Sequence, residues 1–149
     1  MIPTRRNFLL ALSTGTSDTE ALGSLLAAEQ RLAAAYEAAL DRDVIEAELG
    51  RQLLSHEREH VRGLEQALRR RGGRAAEPAP AADVDLSSRR GFARSALELE
   101  RTAVDTYREV LTSFHDDTLL QPLGSIMACG AQHEVALRQV LGEHLLERN

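Results

Sequence analysis

Apolar residues recur along this chain at the spacing of α-helices, in four separate stretches. The second stretch shows the pattern most clearly, with leucines on one helix face at Leu49, Leu53, Leu64 and Leu68. Ser17 with Glu20, and Asp43 with Glu46, form capping-box patterns before the first two stretches, and Gly72-Gly73 follows the second. The pattern predicts an all-α protein with helices near residues 18–40, 44–71, 88–114 and 118–144.

Each predicted helix also carries a polar residue in the middle of its apolar face. The interrupting residues are Glu29 in the first helix, Glu57 and His60 in the second, Glu100 in the third and His133 in the fourth. Burying a carboxylate or an imidazole costs several kcal/mol unless the group finds a partner. A shared metal ion would be a partner for all of these groups.

The segment between the second and third helices differs in composition from the rest of the chain. Gly72 to Ser87 is rich in Ala, Pro, Gly and Asp, including Pro78 and Pro80. Fully extended, this linker reaches about 50 Å at roughly 3.3 Å per residue. The second helix is about 42 Å long at roughly 1.5 Å per residue. The linker can therefore cross the full length of a helix bundle.

The two halves of the chain look like copies of one helix pair. The separation between Glu29 and Glu100 equals that between Tyr36 and Tyr107. Each half therefore has a Glu followed seven residues later by a Tyr. Docking two such pairs would bring their polar stripes to a common centre.

The second helix of each pair carries the remaining landmarks. His60 corresponds to His133, and the same separation carries Glu57 onto Gly130. The motif Glu-x-x-His is complete in the first half, whereas the second half has lost its Glu.

With these landmarks, the chain resembles the ferritin-like superfamily of bacterioferritin- and rubrerythrin-type carboxylate bundles over residues 18–145. The resemblance implies a four-helix bundle of two helix pairs joined by one long crossover, and a centre that binds iron, manganese or another divalent metal. Oxidase or ferroxidase-type chemistry would follow by analogy with the family. Family habit also suggests a homodimer.

The resemblance assigns roles to individual residues. It implies metal ligation by Glu29, Glu57, His60, Glu100 and His133, with Tyr36 and Tyr107 packed behind the ligands. Gly130 stands where the family has a bridging glutamate. From this loss we expect one tightly held ion, bound by Glu29, Glu57, His60 and Glu100, and only weak binding of a second ion at His133.

Length, charge and the N-terminal sequence bear on the number of domains, the partners and the location of the protein. At 149 residues the chain is expected to form one domain over residues 18–149, and its net charge of −5 disfavours nucleic acid as a partner. No apolar run is long enough for a membrane span. Arg5-Arg6 resembles a twin-arginine export signal, but its apolar run is short. Residues 1–17 are therefore expected to form a tail, in a cytoplasmic protein or, alternatively, an exported one.

Two other functions compete with the ferritin-like one. His56-Glu57-x-x-His60 also matches the helix motif of zinc peptidases, whose extended form needs a third ligand where Gln66 stands. The motif predicts that His56 points about 100° away from Glu57, towards the surface. The other alternative is a metal-free bundle with a structural or interaction role.

Cys129 is the only cysteine, so the chain can form no internal disulfide. It precedes His133 by four residues, which places both on one helix face. A lone helix cysteine usually packs as a small apolar residue, and ligation by its thiolate is the alternative.

Overall fold

A computed structural model describes residues 17–78 and 81–143, which form four α-helices and one short 3₁₀ turn. The helices are α1 (Asp18–Asp41), α2 (Ala47–Arg70), α3 (Arg89–Ser113) and α4 (Leu120–Val140), with the 3₁₀ turn at Asp117–Leu119 before α4. The described residues contain no strand. The all-α, four-helix prediction is therefore confirmed. Residues 1–16, with Arg5-Arg6, lie outside the described part of the chain.

The helix starts follow capping chemistry, with one correction. The predicted capping box before α1 is present, since Ser17 Oγ accepts from the backbone N–H of Glu20 and the Glu20 carboxylate accepts from that of Ser17. The predicted box at Asp43 is wrong. Asp43 has a positive φ of 53° in the turn, and Glu46 instead caps α2 by accepting from the backbone N–H of Glu48 and Leu49.

The last helix differs from its prediction at both ends. It begins at Leu120, after the 3₁₀ turn, with Pro122 in its first turn, where a missing N–H costs no hydrogen bond. It ends at Val140, because Gly142 takes a positive φ of 73°. The predicted end at His144 lies outside the described residues.

Contacts at one end of the bundle fix the helix directions. Asp18, at the start of α1, accepts hydrogen bonds from the backbone N–H of His115 and Asp116, just after α3. Arg71, just after α2, pairs with Asp116. The start of α1 and the ends of α2 and α3 therefore lie together, so α2 and α3 are parallel. The linker after Arg71 must run back along the bundle to Ser88, as its length predicts.

The core consists of two apolar clusters. One contains Leu32, Tyr36, Leu53, Phe92 and Leu137, and the other contains Leu22, Leu25, Leu64, Tyr107 and Leu123. Each buried leucine contributes about 1.5–3 kcal/mol relative to an exposed one. The buried polar residues belong to neither cluster. No helix among the described residues is long and apolar enough to cross a membrane.

Candidate metal centre

The four helices bring the interrupting polar residues together in the bundle interior. Glu29, Glu57, Glu100 and His133 are buried, with at most 3% of each residue exposed, while 13% of the His60 side chain is exposed. They face inwards because each occupies an apolar stripe whose other members pack in the core. All five residues predicted from the sequence therefore contribute to one polar centre.

The first group of ligand-type atoms belongs to the α1–α2 half. His60 Nδ1 lies 3.0 Å from Glu29 Oε2 and 3.4 Å from Glu57 Oε2. These three side chains place their nitrogen and oxygen atoms close enough to share one metal ion.

The second group gathers at the other histidine. His133 Nδ1 lies 2.8 Å from Glu57 Oε1 and 3.1 Å from Glu100 Oε1. Glu100 therefore lies with His133, which differs from the expected single cluster with Glu29 and His60. Glu57 has one carboxylate oxygen in each group, because it lies between the two halves. His133 consequently does have carboxylate neighbours.

The two tyrosines behind the centre differ from each other. Tyr36 Oη donates a 2.6 Å hydrogen bond to Glu100 Oε1. Tyr107 Oη is buried but forms no hydrogen bond with any described residue. Tyr36 therefore fixes the orientation of Glu100, whereas the Tyr107 hydroxyl can accept a further partner.

One carboxylate oxygen also lacks a partner. Glu100 Oε2 is buried and accepts no hydrogen bond within the described residues, whereas Glu57 Oε1 has His133 Nδ1 at 2.8 Å. Glu57 and Glu100 border a cavity of about 10 Å³ that is also lined by Gly130. A Cβ at residue 130 would lie 3.5 Å from Glu100 Oε2. The volume of the cavity is close to that needed for one water molecule or a smaller ion.

Burial and mutual contacts shift the pKa values of all five groups. Burial raises the pKa of Glu29 to about 8 and also raises that of Glu100. Burial opposes ionisation of Glu57 as well, but contacts with His133 and His60 hold its pKa well below the ordinary value. Burial would lower the pKa values of His60 and His133, but the adjacent carboxylates raise both to about 9. Without a metal, protons supply the positive charge that these carboxylates need.

His56 corrects the sequence-based expectation that it faces the surface. It is half-buried, and its Nδ1 lies 3.0 Å from His133 Nε2. His60 Nδ1 instead faces Glu29 and Glu57. The two histidines of the zinc-peptidase motif therefore belong to different groups of ligand-type atoms.

Cys129 lies on the same side of the centre as His56. Its Sγ is 3.4 Å from His133 Nε2 and 3.8 Å from His56 Nδ1. Sequence reasoning paired Cys129 with His133 but missed His56. The available signal was the repeat, because His56 and Cys129 are separated by 73 residues, the same separation as His60 and His133.

Comparison with known proteins agrees with this architecture. Residues 17–143 match the family profile of the ferritin-like domain. No curated protein matches the chain. Among solved structures, the fold is similar to the crystal structure of a conserved hypothetical protein, rv2844, from Mycobacterium tuberculosis. The two have 20% sequence identity and a TM-score of 0.76, over 86% of this chain and 99% of that chain. This likeness concerns the fold alone.

Proposed function

Because this chain belongs to the ferritin-like domain family, we propose that its buried centre binds two divalent metal ions, iron or manganese. The observation that supports two ions is the position of Glu57, whose Oε2 lies near His60 and whose Oε1 lies near His133. Glu29 and His60 would hold one ion, Glu100 and His133 would hold the other, and Glu57 would bridge them. This proposal differs from the single-ion hypothesis drawn from the sequence, and the number of bound ions distinguishes the two.

An unpaired carboxylate oxygen supports a fit between the centre and cations. A buried carboxylate oxygen normally has a partner, yet Glu100 Oε2 accepts no hydrogen bond within the described residues. Carboxylates with imidazoles suit iron and manganese, which accept oxygen and nitrogen ligands. The cavity beside Gly130 offers space next to this oxygen.

A bound iron pair would supply electrons for oxidase or ferroxidase-type chemistry with dioxygen. The chain's own residues prepare the site for this chemistry in three ways. The apolar clusters exclude bulk water from the carboxylates. Tyr36 holds Glu100 in place through its hydrogen bond. His60 is the most exposed of the five groups and marks the side nearest to solvent.

Metal stoichiometry tests the proposal directly. The protein, purified without a histidine tag and stripped with chelator, is loaded anaerobically with Fe²⁺ or Mn²⁺, and bound metal is counted by mass spectrometry after desalting. We expect two equivalents per chain for the wild type and fewer than one for Glu57→Gln, which removes the bridging charge. Glu59→Gln is the matched control, since Glu59 lies on the same helix but is exposed.

Three outcomes would contradict the proposal: a wild type that binds no metal, a wild type that binds one equivalent only, or a Glu57→Gln variant that retains two. The Glu59→Gln control should bind as many equivalents as the wild type. Circular dichroism of each variant checks that the helical fold is retained.

A metal-free role is the second candidate, and hydrogen bonds in the centre favour it. His60 pairs with Glu29, His133 pairs with Glu100, and Tyr36 donates to Glu100, so these pairs satisfy several buried groups without an ion. This role predicts that chelator leaves the Tm unchanged and that added Mn²⁺ does not raise it. The metal-binding role predicts a rise in Tm with Mn²⁺ concentration, because the ion binds only the folded protein.

A further inference from the structure

A second type of ligand cluster lies beside the carboxylate centre, on the far side of the His133 ring. His133 Nδ1 faces Glu57 and Glu100, whereas His133 Nε2 faces His56 and Cys129. We propose that His56, Cys129 and His133 form a separate site for a borderline-soft divalent ion such as Zn²⁺ or Co²⁺. This site goes beyond the proposed function and stands whether or not the carboxylate centre binds iron or manganese.

The distances between the three ligand atoms suit one face of a tetrahedral site. With Zn–N distances of about 2.05 Å and a Zn–S distance of about 2.3 Å, tetrahedral geometry separates two nitrogens by about 3.3 Å and a sulfur from a nitrogen by about 3.6 Å. The observed separations are 3.0 Å for the two nitrogens, and 3.4 Å and 3.8 Å from the sulfur. The separations therefore suit one ion once the two imidazole rings turn towards it, and the fourth position is left for water or a small ligand.

The surroundings of His133 match those of a metal-binding histidine. A histidine that binds metal through one nitrogen usually donates the N–H of the other to a carboxylate, a backbone carbonyl or water. With Nε2 on the ion, Nδ1–H would donate to Glu100 Oε1 at 3.1 Å. Tyr36 orients that same carboxylate from behind. The carboxylate that would support His133 as a ligand is therefore already in contact with it.

Ion binding competes with a proton between the two histidines. The rings of His56 and His133 are almost coplanar, with 4° between their planes, and the facing nitrogens are close enough for an N–H···N hydrogen bond. An ion would displace this proton and require the rings to turn towards it. Binding also replaces the S–H bond of Cys129 with a metal–sulfur bond, and both protons leave to solvent. His56 and Cys129 are half-buried, so an ion can reach them from the surface.

Sharing His133 couples the two sites. A neutral imidazole offers one lone pair, so His133 cannot bind through Nε2 and also serve the carboxylate centre through Nδ1. Zn²⁺ at the cysteine site should therefore lower Fe²⁺ or Mn²⁺ binding from two equivalents to one. This competition distinguishes the cysteine site from simple zinc substitution in the carboxylate centre, which would displace both ions.

Cobalt absorption tests the site on the wild-type protein. Co²⁺ bound by a thiolate shows a sulfur-to-cobalt charge-transfer band in the near ultraviolet, and Cys129 is the only cysteine in the chain. We expect this band, together with tetrahedral d–d bands, to saturate at one equivalent and to disappear when Zn²⁺ is added. Cobalt binding without the band, or no cobalt binding, would overturn the proposal.

Substitutions then assign the ligands. Cys129→Ser should abolish the charge-transfer band. His56→Ala should weaken Co²⁺ binding at least about tenfold, because even the loss of a residue that only supports a metal ligand lowers metal affinity by about 10- to 100-fold. His115→Ala, which removes an exposed imidazole at the bundle end, should change neither. Retention of wild-type affinity in His56→Ala would refute its assignment as a ligand. Mn²⁺ binding without the cobalt band would refute this site alone, and the reverse result would refute the carboxylate proposal alone.

Discussion

The two halves of the bundle carry similar polar residues but complete their groups differently. In the α1–α2 half, His60 lies with Glu29 and Glu57, both from its own helix pair. In the α3–α4 half, His133 lies with Glu100 but takes its second carboxylate, Glu57, from the other pair. One half is therefore self-sufficient, and the other depends on its neighbour.

The repeat predicted from the sequence relates this difference to residue 130. It aligns Gly130 with Glu57, and Gly130 lines the cavity next to Glu100. The absence of a carboxylate at residue 130 does not isolate His133, because a buried carboxylate has two oxygens and Glu57 contacts the histidines of both halves. The half that has one carboxylate in its own sequence can thus have two beside its histidine in space.

The largest expected effect comes from removing the carboxylate that is unique to each half. Glu29→Gln and Glu100→Gln should each weaken the binding of one of the two ions at least about 100-fold. Even the loss of a residue that only supports a metal ligand lowers metal affinity by up to about 100-fold. Each variant should keep the other ion. Isothermal titration with Mn²⁺ would measure both sites, with exposed Glu98→Gln as the control. Loss of both ions in both variants would show that the halves do not act separately.

The tyrosines give the second test of asymmetry. Tyr36→Phe leaves Glu100 without its 2.6 Å hydrogen bond and should lower the free energy of unfolding by about 1–3 kcal/mol. Tyr107→Phe removes a buried hydroxyl that has no hydrogen-bond partner in the described residues, so it should be neutral or stabilising. Urea unfolding of the metal-free variants would compare them. Equal destabilisation by the two substitutions would contradict the difference in hydrogen bonding.

Restoring the missing carboxylate should make the halves more alike. Gly130→Glu is expected to strengthen binding of the ion at His133 about tenfold, equivalent to about 1.4 kcal/mol. Gly130→Ala is the matched control, because it gains helix propensity of up to about 1 kcal/mol without adding charge. Its Cβ would lie 3.2 Å from Val104 Cγ2, so part of that gain should be offset by crowding. Stronger binding in Gly130→Ala than in Gly130→Glu would contradict the role of the carboxylate.

Sequence reasoning predicted the architecture because its signals are local and repeated. Helical periodicity, the Ser17 cap and the linker length together fix four helices and their order. Glu29, Glu57 and Glu100 were conspicuous because a carboxylate in an apolar stripe contradicts its surroundings. Their role as metal ligands stays a prediction.

The side-chain contacts within the site depended on details that no local sequence pattern contains. The position of Glu100 beside His133 rather than His60 depends on how the two helix pairs dock and on which way each carboxylate turns. His56 was predicted to face outwards from its angle on α2 alone, yet α4 lies close enough for His133 to reach it. Side-chain contacts between helices decide such cases, and they are set by tertiary packing.

The smallest expected effect is a pH dependence of the stability of the metal-free protein, to which both halves of the bundle contribute. The adjacent carboxylates raise the pKa values of His60 and His133 from an ordinary 6.5 to about 9. Between pH 6.5 and about pH 9, the folded protein therefore binds more protons than the unfolded chain. The stability that the two histidines contribute is complete below pH 6.5 and is lost as the pH rises through 9. The raised pKa of Glu29 acts in the same direction up to about pH 8.

We accordingly expect the Tm in chelator to fall between pH 6.5 and 9, and the Tm with saturating Mn²⁺ to fall less, because the ion takes the place of the protons. His60→Gln and His133→Gln should each reduce the slope in chelator relative to the wild type. Thermal unfolding across this pH range measures all three proteins. A Tm that rises with pH in chelator would contradict the protonated centre. A slope that depends on His60 alone would show that only the self-sufficient half binds its proton in the folded state.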